Sequence, residues 1–233
     1  MCYCFIAESD LDLLRLWTGE VGGMRAGFQP PLAVLPDKIA PVIVRDANGA
    51  RSIRPMRWGF PPLPYWPSRG LTLIVSDVDN GYWRPWLNTG SRCLVPATSV
   101  HLYDPDGGAP VPHGRQSEEG ALQPLFLAGM WRSWTGLRGE SPEPINVEHQ
   151  LFVLLAAKPN VEGGAQSSPT PVILTTPEEI DQWLDGAPDD ALLLQRPAME
   201  SVLTAVQQSP LVGLDQQSSN CGLVDRPEPS GID

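Results

Sequence analysis

Histidine and cysteine are scarce in this chain, with three and four copies in 233 residues. The cysteines, Cys2, Cys4, Cys93 and Cys221, are too few and too scattered for the disulfide framework of a small secreted fold. Cys2-x-Cys4 has no second His or Cys pair at finger-like spacing, so no structural metal is expected, and no cofactor either. Long apolar runs are lacking, and the first twenty residues hold neither a basic n-region nor a continuous apolar h-region. These absences exclude a membrane span and a secretory signal, and lead us to expect a cytoplasmic monomer. Positive charge is short as well: 16 Lys and Arg against 27 Asp and Glu give a net charge of −11. That argues against a general nucleic-acid binder, whose phosphate contacts come from basic side chains.

Glycine and proline, by contrast, are plentiful at 22 and 26 residues, which implies many turns and argues against a helix bundle. The charge is also uneven. Residues 51–92 carry Arg51, Arg54, Arg57, Arg69, Arg84 and Arg92 against only Asp77 and Asp79, a local balance of +4 on an otherwise acidic body. A basic patch on an acidic body is one reading of this stretch, and scattered, solvated arginines are the other.

Read in order, Met1–Ile6 predicts a short strand, and the leucines from Leu11 to Leu16 predict a helix capped by Ser9. Residues 26–41 read as extended. Val42–Arg45 and Ser52–Met56 bracket Asn48-Gly49, a hairpin signal. Leu71–Val75 and Cys93–Val95 read as strands, the second closed by Pro96, with the aromatic turn Trp83-Arg84-Pro85-Trp86-Leu87 between them. A loop is predicted over 105–120, strands over Leu125–Trp131 and Leu151–Ala156, and a connection over 135–147. Pro171–Leu174 predicts a further short strand. Thr176-Pro177-Glu178-Glu179 has the composition of a capped helix start, ending near Gly186, and 187–206 reads as partly helical. Many short strands with a few helices mean one α+β domain over residues 1–206, followed by a loose acidic and polar tail over 207–233.

Four blocks of this chain fall in an unusual order. They are RPMRWGFPP, the stretch from Leu71 to Tyr103, LAGMWRSWTG and PVILTTPEEIDQWLDG. In these blocks the chain resembles the SOS response-associated peptidase family, whose members guard abasic sites in single-stranded DNA. The resemblance implies a strongly curved, barrel-like mixed sheet with peripheral helices. It also implies that Cys2 becomes the catalytic N-terminus once Met1 is removed.

An N-terminal cysteine offers an amine and a thiol that are both partly unprotonated near neutrality. The amine condenses with the aldehyde of a ring-opened abasic sugar, and the thiolate closes a thiazolidine on the imine. Other positions depart from the family pattern. The Asn and Arg of its Asn-x-Arg fall on Asp77 and Asp79, which strand alternation would put on one face. Its catalytic Glu falls on Leu102 and its catalytic His on Gln166, neither of which titrates. His101, beside Leu102, would point to the opposite face. Arg57, Trp58 and Arg84 remain as candidate contacts to single-stranded DNA, Trp58 by stacking or as plain core, whereas Trp83, Trp86 and Trp131 read as core. His113 and His149 read as surface residues, and Cys93 as a small buried hydrophobe.

Two readings follow. One is a covalent abasic-site sensor with weakened docking and impaired chemistry. The other is a non-catalytic relative that serves as a binding module. A general cysteine peptidase would need a placed histidine partner, which the sequence lacks.

Overall fold

The computed structural model describes residues 4–8, 10–19, 21–22, 33–62, 70–79, 81–102, 111–138, 145–158, 170–197 and 203–206. Its frame is a ring of five strands, β4 (Ile39–Arg45), β5 (Arg51–Trp58), β7 (Arg92–Leu102), β10 (Leu125–Arg138) and β11 (Ile145–Leu155). β10 pairs antiparallel with β11, β11 parallel with β5, β5 antiparallel with β4, β4 with β7, and β7 closes back on β10. Closure leaves these strands without free edges. The expected α+β fold with a curved, barrel-like mixed sheet is what forms. Shorter strands attach to this ring: β1 (Cys4–Ala7), β2 (Val21–Gly22), β3 (Ala33–Val34), β6 (Ile74–Val75), β8 (Val111–Gln116), β9 (Leu122–Gln123), β12 (Ile173–Leu174) and β13 (Thr204–Ala205).

Period-two alternation sorts the side chains into two cores. Val42, Val44, Met56, Trp58, Cys93, Val95, Leu127, Phe152 and Leu154 form one that contains no helical residue and fills the barrel. The other lies on the outside, where Leu94, Phe126, Met130 and Val153 meet Leu14 of α1 (Leu11–Thr18) and Ile180, Trp183 and Leu184 of α2 (Pro177–Asp185). The interior is tight at Gly129, where a Cβ would stand 2.6 Å from the Val153 carbonyl oxygen and 3.2 Å from Cys93 Sγ.

Local sequence explains most termini. Asp46 and Ala50 close the β4–β5 hairpin, with Asn48 Oδ1 accepting from the Ala50 amide at 3.1 Å and Gly49 at φ 86°. Thr176 caps α2 through the Glu179 amide at 3.2 Å, and Glu179 reaches back to the Thr175 amide at 2.8 Å. Carboxylates of α2 then bind the barrel: Asp181 and Asp185 accept from Arg51, and Asp185 also pairs with Arg45 at 2.9 Å. Arg92, 0% exposed, donates to the Gly186 and Leu184 carbonyls at the C-terminus of the same helix and lies 5.6 Å over the Trp183 ring. A cation at a helix C-terminus complements the dipole. Burial lowers its pKa to about 10, so it stays charged at neutral pH.

Several sequence expectations are corrected. The α1 cap is Asp10, whose carboxylate accepts from the Asp12 and Leu13 amides, so the helix starts one residue later than a Ser9 cap would set it. Pro96 does not end its strand; β7 continues to Leu102. The Pro96 carbonyl accepts from the Glu8 amide, so its missing N–H faces the same side. That side is unpaired there: β4 pairing ends at Leu94 and β1 pairing begins at Ala97. The loop expected over 105–120 contains β8, which a turn at Ser117–Gly120 joins to β9. The connection expected over 135–147 is largely strand, with Thr135–Arg138 paired to Ile145–Glu148. The stretch 187–206 is partly helical as expected: among the described residues beyond Gly186 it holds α3 (Pro188–Leu192), and β13 follows later.

One irregularity in β7 shapes the site. Ala7 pairs with Ala97 but Ile6 pairs with Ser99, so Thr98 is an extra residue. The bulge resets the parity. Cys93, Val95 and Ala97 face the interior before it, and Val100 and Leu102 do so after it.

Candidate functional site at the β1–β7 end of the barrel

Strand β1 carries the N-terminal chain to the far end of β7, with Cys4 directly opposite His101 and Phe5 opposite Val100. Opposed residues of an antiparallel pair share a face. Cys4 and His101 therefore stand on one side of the sheet, while Phe5, Val100 and Leu102 stand on the other, toward the barrel interior. Cys2 and Gln166 lie outside the described residues, as do Arg69 and Cys221.

Leu102 is half-buried and packs against the interior core. A carboxylate at that position would face the barrel, whereas leucine continues the apolar lining. His101 lies, as expected, on the opposite face, and it is 8% exposed with no hydrogen-bond partner on Nδ1. Burial lowers its pKa, opposed by a hydrogen bond with the Cys4 backbone and reinforced by His113. His101 is therefore held neutral and acts on β1, not on the interior. Sequence alternation located its face; its contact with β1 required knowledge of the strand pairing.

Asp77 and Asp79 follow β6 and are exposed on either side of buried Val78. They share the outward side by way of a turn, in which Asp77 Oδ1 accepts from the Asp79 amide at 3.3 Å, and not as part of a strand. Asp79 is ion-paired with Arg84 at 3.2 Å and lies 3.9 Å from Lys158 Nζ. Its repulsion toward a phosphate is correspondingly tempered. Gln195, which the sequence did not single out, supports this turn from beneath. It is 4% exposed, and its amide nitrogen donates to the Ser76 carbonyl at 2.7 Å and the Ala156 carbonyl at 2.9 Å. A glutamine in an apolar segment near the chain's end carries no local signal of such a role.

The candidate DNA contacts fare differently. Trp58 is fully buried between Phe5 and Phe152, its Nε1 donating to the Leu73 carbonyl at 3.0 Å. No ring face is left for a base, and the stacking reading of Trp58 is withdrawn. Arg57 is engaged by Asp37, through its carbonyl and its carboxylate at 3.6 Å. Arg84 is exposed but holds both Asp79 and Asp189.

Of the two readings of the 51–92 arginines, the described ones do not form a free basic patch. Arg51 serves α2, Arg54 pairs with Asp46, and Arg92 is buried under the C-terminus of α2. The described arginines of 51–92 are taken up by contacts within the fold, Arg51, Arg54, Arg57 and Arg84 in ion pairs and Arg92 on backbone carbonyls. A cavity of about 540 Å³ opens beside β5 and β11, lined by Arg54, Arg57, Glu148 and His149. Of its lining groups, Arg54 and Arg57 are ion-paired and His149 Nε2 lies 3.1 Å from the Gly136 carbonyl. The Cys93 thiol, fully buried, is pushed well above its ordinary pKa by desolvation and is inert. Among the described residues no group of three His, Cys, Asp or Glu side chains is placed to hold a metal ion. No helix among them is long and apolar enough to cross a membrane.

Comparison with known proteins adds to this geometry. A family model described as SOS response associated peptidase (SRAP) matches residues 1–214. A solved structure of a Bordetella bronchiseptica protein superposes with a TM-score of 0.65 at 19% identity, covering 89% of this chain and 100% of its own. A phage-related protein from the same organism gives 0.57 at 19% identity, over 89% of this chain and 95% of its own. A Bacteroides thetaiotaomicron protein gives 0.59 at 17% identity, over 88% and 90%. At these identities the structures establish a shared fold. No curated protein is similar enough to count as a match.

Proposed function

Because the chain belongs to the SOS response associated peptidase family, we propose that it captures abasic sites in single-stranded DNA through Cys2, with reduced acid–base assistance. The observation that carries this reading is the register of Cys4 opposite His101. It anchors the N-terminal chain at the end of β7, beside position 102, and Cys2 is only two residues upstream, within about 7 Å of chain.

The chemistry needs Met1 to be removed. The Cys2 α-amine then attacks the aldehyde carbon of the ring-opened sugar and loses water to give an imine. The thiol sulfur adds to the imine carbon, its proton passes to nitrogen, and a five-membered thiazolidine results. Neither step demands a protein base, because an N-terminal amine of pKa about 7.7–8.0 is partly neutral at pH 7.5. A positioned acid or base typically contributes about 10²–10⁴-fold. Leu102 and Gln166 supply none, so the adduct forms slowly and reverses slowly. Asp77 in place of an amide donor leaves the sugar less well oriented. Arg57 and Arg84 are held in ion pairs, so docking through them is weak and its salt dependence shallow.

The test is a time course of denaturant-resistant product with a single-stranded oligonucleotide carrying one abasic site, read by gel and by intact mass. The expected product starts at Cys2, has lost one water relative to the sum of the parts, accumulates slowly, and is absent for Cys2→Ala. Absence of any adduct with the native sequence would leave the chain as a non-catalytic binding module on the same fold. Fast formation with fast release would show that a titrating group serves the site after all.

A further inference from the structure

Arg132 on β10 differs from every other described arginine. Arg15, Arg45, Arg51, Arg54, Arg57, Arg84, Arg138 and Arg196 each pair with a carboxylate, and Arg92 and Arg115 donate to backbone carbonyls. Arg132 has no hydrogen bond or ion pair with a described residue, and its Nε is buried without a partner. It is nevertheless held in place. Its guanidinium carbon lies 4.7 Å from the Phe60 ring centroid and 5.6 Å from that of Trp86. The two rings stand 78° to each other, so they form a corner around the cation.

A guanidinium in an aromatic corner is stiffened by cation–π attraction without loss of its hydrogen-bonding capacity. Phe60 is fully buried and forms the floor, and half-buried Trp86 forms the wall. What remains is the outer edge, a planar fork of N–H donors with fixed direction. Such a fork matches two oxygens of one phosphate or carboxylate, which a flexible lysine does not. Trp86 belongs to the short 3-10 helix Arg84–Leu87, whose first residue holds Asp79. The 3-10 helix that supplies the Arg132 wall thus also holds Asp79 through Arg84.

We propose that Arg132, set in the Phe60–Trp86 corner, is the phosphate-binding point at which single-stranded DNA docks on this protein. The proposal rests on the single-stranded DNA reading above and names the cation that serves it in place of Arg57 and Arg84. The occupant is a phosphodiester of the single-stranded DNA read above, since this pre-organised planar donor edge is unpaired while eight of the other described arginines are ion-paired. Asp79 and Asp189 lie along the same 3-10 helix through Arg84 and keep the binding weak and dependent on ionic strength.

The experiment uses the full chain and a fluorescently labelled, lesion-free single-stranded oligonucleotide, with anisotropy titrations at several salt concentrations. Arg132→Gln should weaken binding about tenfold, and the slope of log K against log salt should shrink by about 0.7, the value for one single-strand phosphate. Arg132→Lys keeps the charge but loses the fork, and should restore the slope while recovering only part of the affinity. Trp86→Ala, which removes the wall, should weaken binding with the slope retained. Equal affinity and slope for native and Arg132→Gln protein would overturn the proposal while leaving the DNA reading intact. No binding by the native chain would overturn both. Full recovery of affinity by Arg132→Lys would overturn the fork in favour of a simple charge.

Discussion

Asp37→Asn should cost about 2–3 kcal/mol of stability, even though the residue is a third exposed at a surface turn. Asp37 takes φ 67°, a left-handed conformation that asparagine also tolerates, so the change removes charge and preserves the turn. Two guanidiniums depend on that charge. Arg138, with 8% of its side chain exposed, donates to Asp37 from Nε at 3.0 Å and from a terminal nitrogen, and also reaches the Gly59 carbonyl at 3.2 Å. Arg57, at 16%, lies 3.6 Å from the same carboxylate oxygen.

Charge-assisted bonds contribute about 1.5–3 kcal/mol each when buried, and partial exposure of the carboxylate pulls their sum down. For a chain of this size the loss corresponds to about 4–12 °C in Tm. Urea unfolding of native, Asp37→Asn and Asp37→Ala proteins measures it. Alanine should be worse by about 1 kcal/mol, because it adds left-handed strain without a polar side chain. An Asp37→Asn midpoint within about 0.5 kcal/mol of native, a typical surface effect, would refute the claim that one carboxylate ties the β10–β11 hairpin to the end of β5.

Asp79→Arg should raise single-stranded DNA affinity and steepen its salt slope by roughly 0.7 for each additional phosphate neutralised, and titration at three salt concentrations would show an unchanged slope if this turn does not meet DNA. His101 should make stability pH-dependent. Its pKa is lowered in the folded state, so the unfolded chain binds more protons; the stability is present above about pH 6.5 and is lost as pH falls through 6.5 toward the folded value. Cys4 on β1 and His113 on β8 are the titratable groups facing it, and urea midpoints at pH 7.5 and 5.0 should converge less in native protein than in His101→Asn; identical pH slopes would count against this. Gly129→Ala should lose about 1–3 kcal/mol, and Cys93→Ala should not rescue it, because the closer clash is with a backbone oxygen that cannot swing away. Rescue in the double variant would place the strain at the sulfur instead.

The Thr176 cap and the Asn48-Gly49 turn are legible in sequence because each is written in a few adjacent residues. Pro96 misleads because its tolerance depends on which neighbour lies on its N–H side, a fact of pairing between β4, β1 and β7. The cationic stretch over 51–92 misleads for a related reason. Composition counts charges, but Arg51 meets Asp181 across 130 residues and Arg84 meets Asp189 across 105. Trp58 is ambiguous in sequence, since a stacking platform and a core residue share one letter, and only its burial between Phe5 and Phe152 decides. Within the candidate site, motif order is what singles out Asp77, Asp79 and Leu102 for comparison with the family pattern. It does not find Gln195 and Arg132, because their roles come from partners remote in the chain.

The single extra residue at Thr98 gives the end of β7 the character of a gear tooth. Strand parity beyond it is a binary variable, and one residue sets its value. With Thr98 present, Leu102 faces the barrel and His101 faces Cys4; with it deleted, the two would exchange sides and an imidazole would enter the interior. A relative that lacks the bulge would therefore present a different side chain to the N-terminal chain even with identical letters at 99–102. Length at this position, as much as identity at position 102, determines whether a titrating group stands on the barrel side.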